Sequence, residues 1–534
     1  MKIKIFTLLI GSIFCLSASS FAQQAGDLDQ GFATDGTVIF GLNNNDIDVY
    51  QDVLIQADQK IVAVGMSWDN SFIARSKVVR YNMDGTLDTD FGVDGTFTYE
   101  LNFEALIYDC AQTADGKIVL AGTTTDYQSY DILLMQLNSD GTPDDNFGVN
   151  GIVVQRLSTP DVNYEDFAYG LAIDANGNIL ISGNSYDEAY LTRPVVARFT
   201  PTGELDTDFG VDGVATIPIV ESSNQFRCLA IQPDGKIVAA GTYSPSFLWN
   251  VMLIARFNED GTLDTTFGED GYTTYSHNDV DDRIFNMAIT PEGNIIGSGF
   301  SATATFQYSA LLVQFTPDGD LDTSFGTEGV VAEGDENFNE GADVQIQSDG
   351  KIFLAGTTGD GPPNAFDFSV WKYNADGTRD MTFGIDGQAR HELEGYYGML
   401  NAIALQADNK VVGVGQARTF PENNIEFMVL RLENELSTGL FDQAQWAAPG
   451  LFPNPVTTSG QISFQLPEEL SSNAHMEFYD ITGKLVHSIV LGQVVSAGQQ
   501  FATSVPQNLT QGIYFVSISE NGLRSKAAKL VIFE

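Results

Sequence analysis

Histidine and cysteine are nearly missing from this chain of 534 residues. Four histidines and three cysteines leave little with which to build a zinc centre, a cysteine nucleophile or a histidine-assisted serine triad. Bases are scarce too: 25 Lys and Arg stand against 71 Asp and Glu, a net charge of -46 that makes nucleic acid an unsuitable partner. After the first twenty or so residues no apolar run is long enough to cross a bilayer, so no transmembrane segment is expected once a leader is removed. No HExxH, GxSxG, phosphate-binding loop or dinucleotide glycine pattern occurs in strand-to-helix context. What remains is 43% hydrophobic residues and 52 glycines, enough for a large core held by packing without disulfide staples.

Residues 1-22 have the layout of a secretory signal peptide, with Lys2 and Lys4, the apolar run Ile5 to Leu16, and small residues ending Ser20-Phe21-Ala22. Cleavage is expected between Ala22 and Gln23. Cys110 and Cys228 then remain, in matching strands of repeats two apart and too distant to bridge. The charge is uneven: residues 450-534 hold six acids and four bases, which leaves 65 acids and 19 bases for residues 23-449, Lys2 and Lys4 being in the leader.

A glycine-punctuated acidic phrase, in its fullest form DGTLDTDFGVDG from Asp84 to Gly95, returns seven times, with its phenylalanine at Phe32, Phe91, Phe147, Phe209, Phe267, Phe325 and Phe383. A second phrase follows it, as in TADGKIVLAGT from Thr113 to Thr123, and its closing glycine recurs at Gly65, Gly122, Gly183, Gly241, Gly299, Gly356 and Gly415. Between the phrases lie short β-type runs, in the second unit 96-101, 107-112, 117-122 and 132-137. The Asp-Gly pair before the third run suits a tight hairpin. A four-stranded sheet of under sixty residues cannot bury both faces alone, so copies must stack. The expected fold is all-β: a seven-bladed β-propeller of four-stranded blades over residues 23-441, with an open β-solenoid as the rival. A worn copy at Glu433 to Phe441 and a strandless copy at Asp27 to Gly36 mark the two ends that ring closure joins.

These units resemble the delta-60 repeats of bacterial extracellular proteins, which implies propeller blades and no particular activity. Departures are Pro143 and Arg379 in place of leucine, Asn178 and Asn294 in place of lysine, and Ala33 in place of glycine.

The aspartate three residues before each phenylalanine reads first as a turn residue whose carboxylate takes backbone N-H groups, the phenylalanine plugging the gap between blades. The competing reading is calcium held by Asp84, Asp88, Asp90 and Asp94, although the spacing fails the EF-hand pattern. Seven equivalent copies argue against catalysis there. The phrase and the Asp-Gly hairpins fall on one face of the ring, so ligand contacts are sought on the other, where loops vary and carry aromatics. Trp68, Tyr130, Tyr190, Trp249 and Tyr308 are the candidate ligand-binding residues, set to stack on sugar rings; the bland alternative is that they cap strand ends. The run from His277 to Asp282 is a polar loop of the same face, read as a solvated turn.

Residues 442-450 read as a linker and 451-534 as a small Ig-like β-sandwich, with runs such as 461-466, 476-480, 484-490, 512-519 and 526-533. The phrases FPNPV (Phe452 to Val456), FYDITGKLV (Phe478 to Val486), LTQGIYFVSI (Leu509 to Ile518) and KLVIF (Lys529 to Phe533) resemble the type A sorting domain of the type IX secretion system of Bacteroidetes. The resemblance implies a partner, the secretion machinery, and a destination, the cell surface or the medium. The expected function is a binding or structural module for a glycan or protein, no enzyme and without a cofactor unless calcium binds. The alternative is a carboxylate-dependent polysaccharide hydrolase or lyase working in the central channel.

Overall fold

A computed structural model of the chain describes residues 24-434 except 42-46, 69-72, 100-103, 126-128, 159-164, 187-190, 220-222, 247-248, 279, 304, 306, 335-337, 360-365, 394 and 420-423. It also describes 451-533 except 452-453, 455, 459, 466-470, 472-473, 480-484, 492-495, 497-498, 508, 521-522 and 526-527. The signal cleavage pair Ala22 and Gln23 lies outside these residues, as does Tyr190. Two compact units emerge, one over Gln24–Glu435 and one containing Leu436–Glu534.

The first unit is a ring of seven four-stranded antiparallel blades. In the second blade the strands run Ala105–Gln112, Ile118–Thr125, Tyr130–Leu137 and Ile152–Gln155, from the channel outwards. Each inner strand neighbours the inner strands of the blades before and after it, and the first blade's touches the seventh's, so the ring is closed. The phase of the repeat differs from the sequence units: the first short run of each unit is the outer strand of the preceding blade, as Thr96–Tyr99 is for the first. At the seam, N-terminal Thr37–Phe40 supplies the outer strand of the seventh blade, with Val38 opposite Val429. Asp29 N donates to Arg431 O, and Glu433 N to Asp27 O.

The second strand of each blade is buried on both faces. In the first blade Ile61 and Ala63 face one inter-blade core while Val62 and Val64 face the next, as two-residue periodicity requires. Each junction holds one repeat phenylalanine, exposed by 1% or less. The Asp-Gly hairpin is a three-residue loop in which the glycine alone is left-handed. Gly116 has φ +87 and Gly235 +85, and Gln59 (+68) and Asn409 (+67) take the same place in the first and last blades.

The recurring closing glycine has a separate cause. Every inner strand carries a β-bulge, for example between Ile107 and Asp109, which drives the carbonyl of Leu106 against Gly122. A Cβ at Gly122 would overlap that oxygen, and Gly65, Gly183, Gly241, Gly299, Gly356 and Gly415 meet the equivalent carbonyls.

In the second unit, Gln461–Gln465 and Gln500–Ser504 pair apart from a larger sheet that includes His475–Tyr479, Gly512–Glu520 and Ala528–Phe533. Ile462 and Phe464 from the first pair share a core with Met476, Phe478, Val516 and Leu530 from the other sheet. The strand at Gln500–Ser504 was not among the expected runs.

Candidate functional site

On the phrase face, burial alone would disfavour the repeat aspartates, and cations answer it. Lys60 Nζ (2.8 Å) and Arg80 Nε (2.6 Å) both donate to Asp88 Oδ2, while Asp88 Oδ1 accepts Asp90 N at 3.3 Å. Lys236 and Arg256 do the same at Asp264, and Lys410 and Arg431 at Asp29, across the seam. Where the lysine is replaced by Asn178, Arg198 alone holds Asp206; at Asp322 the donor is the amide of Gln314. The arginines also reach the next blade: Arg198 donates to Glu259 O at 2.6 Å and Arg80 to Ser139 O, and each guanidinium lies 4.6 Å from its repeat phenylalanine ring. Burial opposes ionisation of Asp264, yet the hydroxyl of Thr266, Lys236 and Arg256 hold it well below the usual carboxylate range. At Asp380 burial is outweighed by Lys351, Thr382 and Lys372, which hold it down to about 2.

The four aspartates weighed for calcium are thus not gathered into a cage. Asp88 is buried under two cations, Asp84 caps Thr86 through its N-H and hydroxyl, and Asp94 stands at φ +51 ahead of Gly95, a left-handed position that short polar residues tolerate. Asp90 is exposed. Among the described residues no group of three or more His, Cys, Asp or Glu converges as a metal site.

On the opposite face the expected aromatics separate. Tyr130 stacks on Phe167 of the next blade (5.3 Å, 24°), and Tyr308 sits 5.3 Å from both Phe300 and Phe338. Trp68 is half-buried at the end of its strand, and Trp249 is 43% exposed at the rim. Tyr130 and Tyr308 belong to two different aromatic clusters. In the polar loop, buried Asp282 accepts Ser276 Oγ and His277 N, and Asp281 pairs with Arg283. Asp281 and Asp282 open the strand Asp281–Ile289, and the burial of Asp282 corrects the expectation of a solvated turn there.

The cluster containing Tyr130 leads into the channel. Phe167 and Tyr169 lie parallel (5.7 Å, 4°), Tyr108 is 5.4 Å from Tyr169, and Arg227 stands 4.4 Å over the Tyr169 ring. Tyr108, Tyr169 and Arg227 are the unpaired bulge residues of three successive inner strands. Beside them opens a cavity of about 290 Å3 at the channel mouth, lined by Phe167, Tyr169 and Tyr186, by Asn184, Asn224 and Gln225, and by Arg283.

Deeper in the ring, carboxylates tie neighbouring blades together. Asp52 Oδ2 accepts Cys110 N (2.9 Å), Asp109 Oδ2 accepts Leu171 N (2.6 Å), and Asp343 Oδ2 accepts Ile403 N (2.8 Å) while its Oδ1 accepts the Asn286 amide. Burial and then the Asp52 charge push the Asp109 carboxyl well above the usual range, and burial raises Asp343 to about 7. Sequence reading missed this layer and the bulge residues. A signal existed: six positions before the hairpin Asp, Asn or Glu the seven units read Asp52, Asp109, Gly170, Cys228, Asn286, Asp343 and Ala402, and three acids in an otherwise apolar strand stand out.

Two family models agree with the architecture. Residues 450–533 match a family described as "Secretion system C-terminal sorting domain". Residues 56–91, 113–147, 175–209, 232–267, 295–325 and 347–383 match "Domain of unknown function (DUF5122) beta-propeller", each segment running from a hairpin to the next repeat phenylalanine or within a few residues of these. Curated proteins provide no match. Among solved structures, polysaccharide lyase Uly1 is 10% identical with a TM-score of 0.43, over 72% of this chain and 90% of that one. A PL25 ulvan lyase is 9% identical at 0.42, over 77% and 96%, and a putative oxidoreductase (glucose dehydrogenase) from Thermus thermophilus is 16% identical at 0.33, over 60% and 95%. Likeness at this level bears on neither ligand nor chemistry.

Proposed function

For a chain that carries DUF5122 propeller repeats and a type IX secretion sorting domain, and so travels to the cell surface or the medium, we propose that the propeller is a saccharide-binding module with its channel mouth as the contact. One observation carries this: the cavity lined by Phe167, Tyr169 and Tyr186 together with Asn184, Asn224, Gln225 and Arg283. Aromatic faces match the C-H faces of a sugar ring, and amides offer donor and acceptor to its hydroxyls, with little of the order lost that flexible charged side chains would forfeit. Trp249 at the rim and Tyr130 behind Phe167 extend the surface; Trp68 and Tyr308 stand on other blades and serve longer chains or packing alone. A glycan array probed with the full chain tests the reading. Binding that Tyr169→Ala abolishes supports it; an array without signal, or signal indifferent to Tyr169→Ala, removes it.

The second reading, a carboxylate-dependent polysaccharide hydrolase or lyase, draws on the raised carboxyls of Asp109 and Asp343, the protonation a general acid needs. Against it, both carboxylates already accept backbone N-H groups of the next blade. Time-dependent release of reducing ends or unsaturated products from a polysaccharide panel would establish it.

A further inference from the structure

Arginine is usually paired in this acidic ring. Arg80, Arg198, Arg256 and Arg431 end on repeat aspartates, and Arg156, Arg283 and Arg390 meet Asp131, Asp281 and Asp367. Arg227 departs from the pattern, as does Arg193, whose Nε also lacks a hydrogen-bond partner among the described residues. Arg227 fills the bulge of the fourth inner strand between Phe226 and Cys228, half-buried, with its guanidinium over Tyr169 at 4.4 Å. Among the described residues its Nε has no hydrogen-bond partner and no carboxylate lies within ion-pair reach.

Such a group is costly to leave unmatched, and the surplus of acids makes its isolation the more telling. Two acids lie near: Glu165, whose charge acts on Tyr169 and Tyr186, and Glu340, on the inner strand Phe338–Ile346. Burial raises the Glu340 carboxyl, and the charges of Arg283 and Arg227 pull the other way. Glu340 therefore senses Arg227 through the channel without touching it. Tyr169 lines the cavity and carries the Arg227 guanidinium on its ring, while Arg283 lines the cavity directly.

We propose that the channel mouth selects saccharide units bearing an anionic group, a carboxylate or a sulfate ester, which pairs with the guanidinium of Arg227 while the sugar lies against Tyr169 and Phe167. This rests on the saccharide reading given above and narrows its ligand. The planar fork of arginine matches either oxyanion with two parallel hydrogen bonds. The acids elsewhere on the ring do not forbid such a ligand, because beyond about 8 Å at physiological salt their repulsion is screened, whereas a pair formed inside the cleft is screened far less.

The test is calorimetric titration of the full chain with oligosaccharides of equal length: a neutral galactan fragment, an oligogalacturonate and a sulfated galactan fragment. At least one acidic form is expected to bind about tenfold or more tightly than the neutral one, and the two acidic arms tell carboxylate from sulfate. Arg227→Gln should erase the preference, the acidic form falling to the affinity of the neutral one for that same variant, with Arg227→Lys keeping part of it. Glu340→Gln should strengthen acidic binding, a gain that misfolding does not produce. Equal affinity for neutral and acidic forms, or an acidic preference indifferent to Arg227→Gln, overturns the proposal while the saccharide reading stands. Failure of all three sugars, alongside a blank array, overturns both.

Discussion

Replacing single repeat aspartates by asparagine gives a graded test, because the seven sites keep one geometry and differ in how many cations they hold. Asparagine preserves the oxygen that caps the turn and replaces the charged Oδ2 acceptor by an uncharged NH2 donor. At Asp264→Asn the side chain of Arg256, 5% exposed, loses its counter-ion, and an uncompensated buried charge costs about 3 kcal/mol. Lys236 is 30% exposed and recovers water, so it adds little. At Asp206→Asn one arginine is affected, with side chains 13% and 20% exposed, and the loss falls to about 1.5 kcal/mol. At Asp322→Asn the partner is an amide, which can turn to suit another amide, and the change is below about 0.5 kcal/mol. Urea unfolding of the four proteins at pH 7 reads the series as midpoint shifts at constant slope. Acidity supplies a second check. Asp264 is held below its unfolded value, so its contribution is complete above about pH 5 and fades as pH falls below about 4 towards the folded value. The gap between wild type and Asp264→Asn should close over that interval. If Asp322→Asn cost as much as Asp264→Asn, or if millimolar calcium raised the wild-type midpoint, the aspartates would not be serving the cations as described.

Gly122→Ala should cost at least about 2 kcal/mol, because the bulge carbonyl of Leu106 blocks the methyl group, whereas Gly116→Ala, whose Cβ meets nothing within 4 Å, should cost about 1 kcal/mol for its left-handed backbone. Equal melting temperatures for the two variants would refute the bulge account. Ala33→Gly should stabilise by about 0.5 kcal/mol, since Ala33 holds φ +50 where other repeats place glycine, a gain measured in the same urea experiment. Deletion of Leu451 to Glu534 should keep the protein inside the cell envelope; its appearance at the surface, followed by protease shaving of intact cells, would contradict the sorting assignment.

Much of the ring was legible in the sequence because repetition amplifies weak signals. Seven phenylalanines at one place in the unit have to meet seven equivalent gaps, and the alternation of Ile118 and Leu120 with Val119 and Ala121 tells of a strand buried twice. A period carries no phase, however, so Thr96–Tyr99 was assignable to either of two sheets until hydrogen bonding decided it. The channel mouth was hidden for a related reason. A bulge shifts side-chain direction by one residue, so Tyr108, Tyr169 and Arg227 break the alternation that would have marked them as channel-facing. The rim aromatics were found because composition reveals them, but composition does not say that Tyr130 leans on Phe167 while Tyr308 leans on Phe338.

The seam couples the order of synthesis to the soundness of the product. Val38 pairs with Val429, and bringing ends so far apart together costs about 5 kcal/mol of chain entropy before any contact repays it. The ring therefore stays open until residues near 430 have been made, and only after them comes the sorting segment at 450–533. A chain cut short anywhere before the seam lacks its destination label as well. Every molecule bearing the label already possesses the strand that locks the ring, so transport draws on chains able to close.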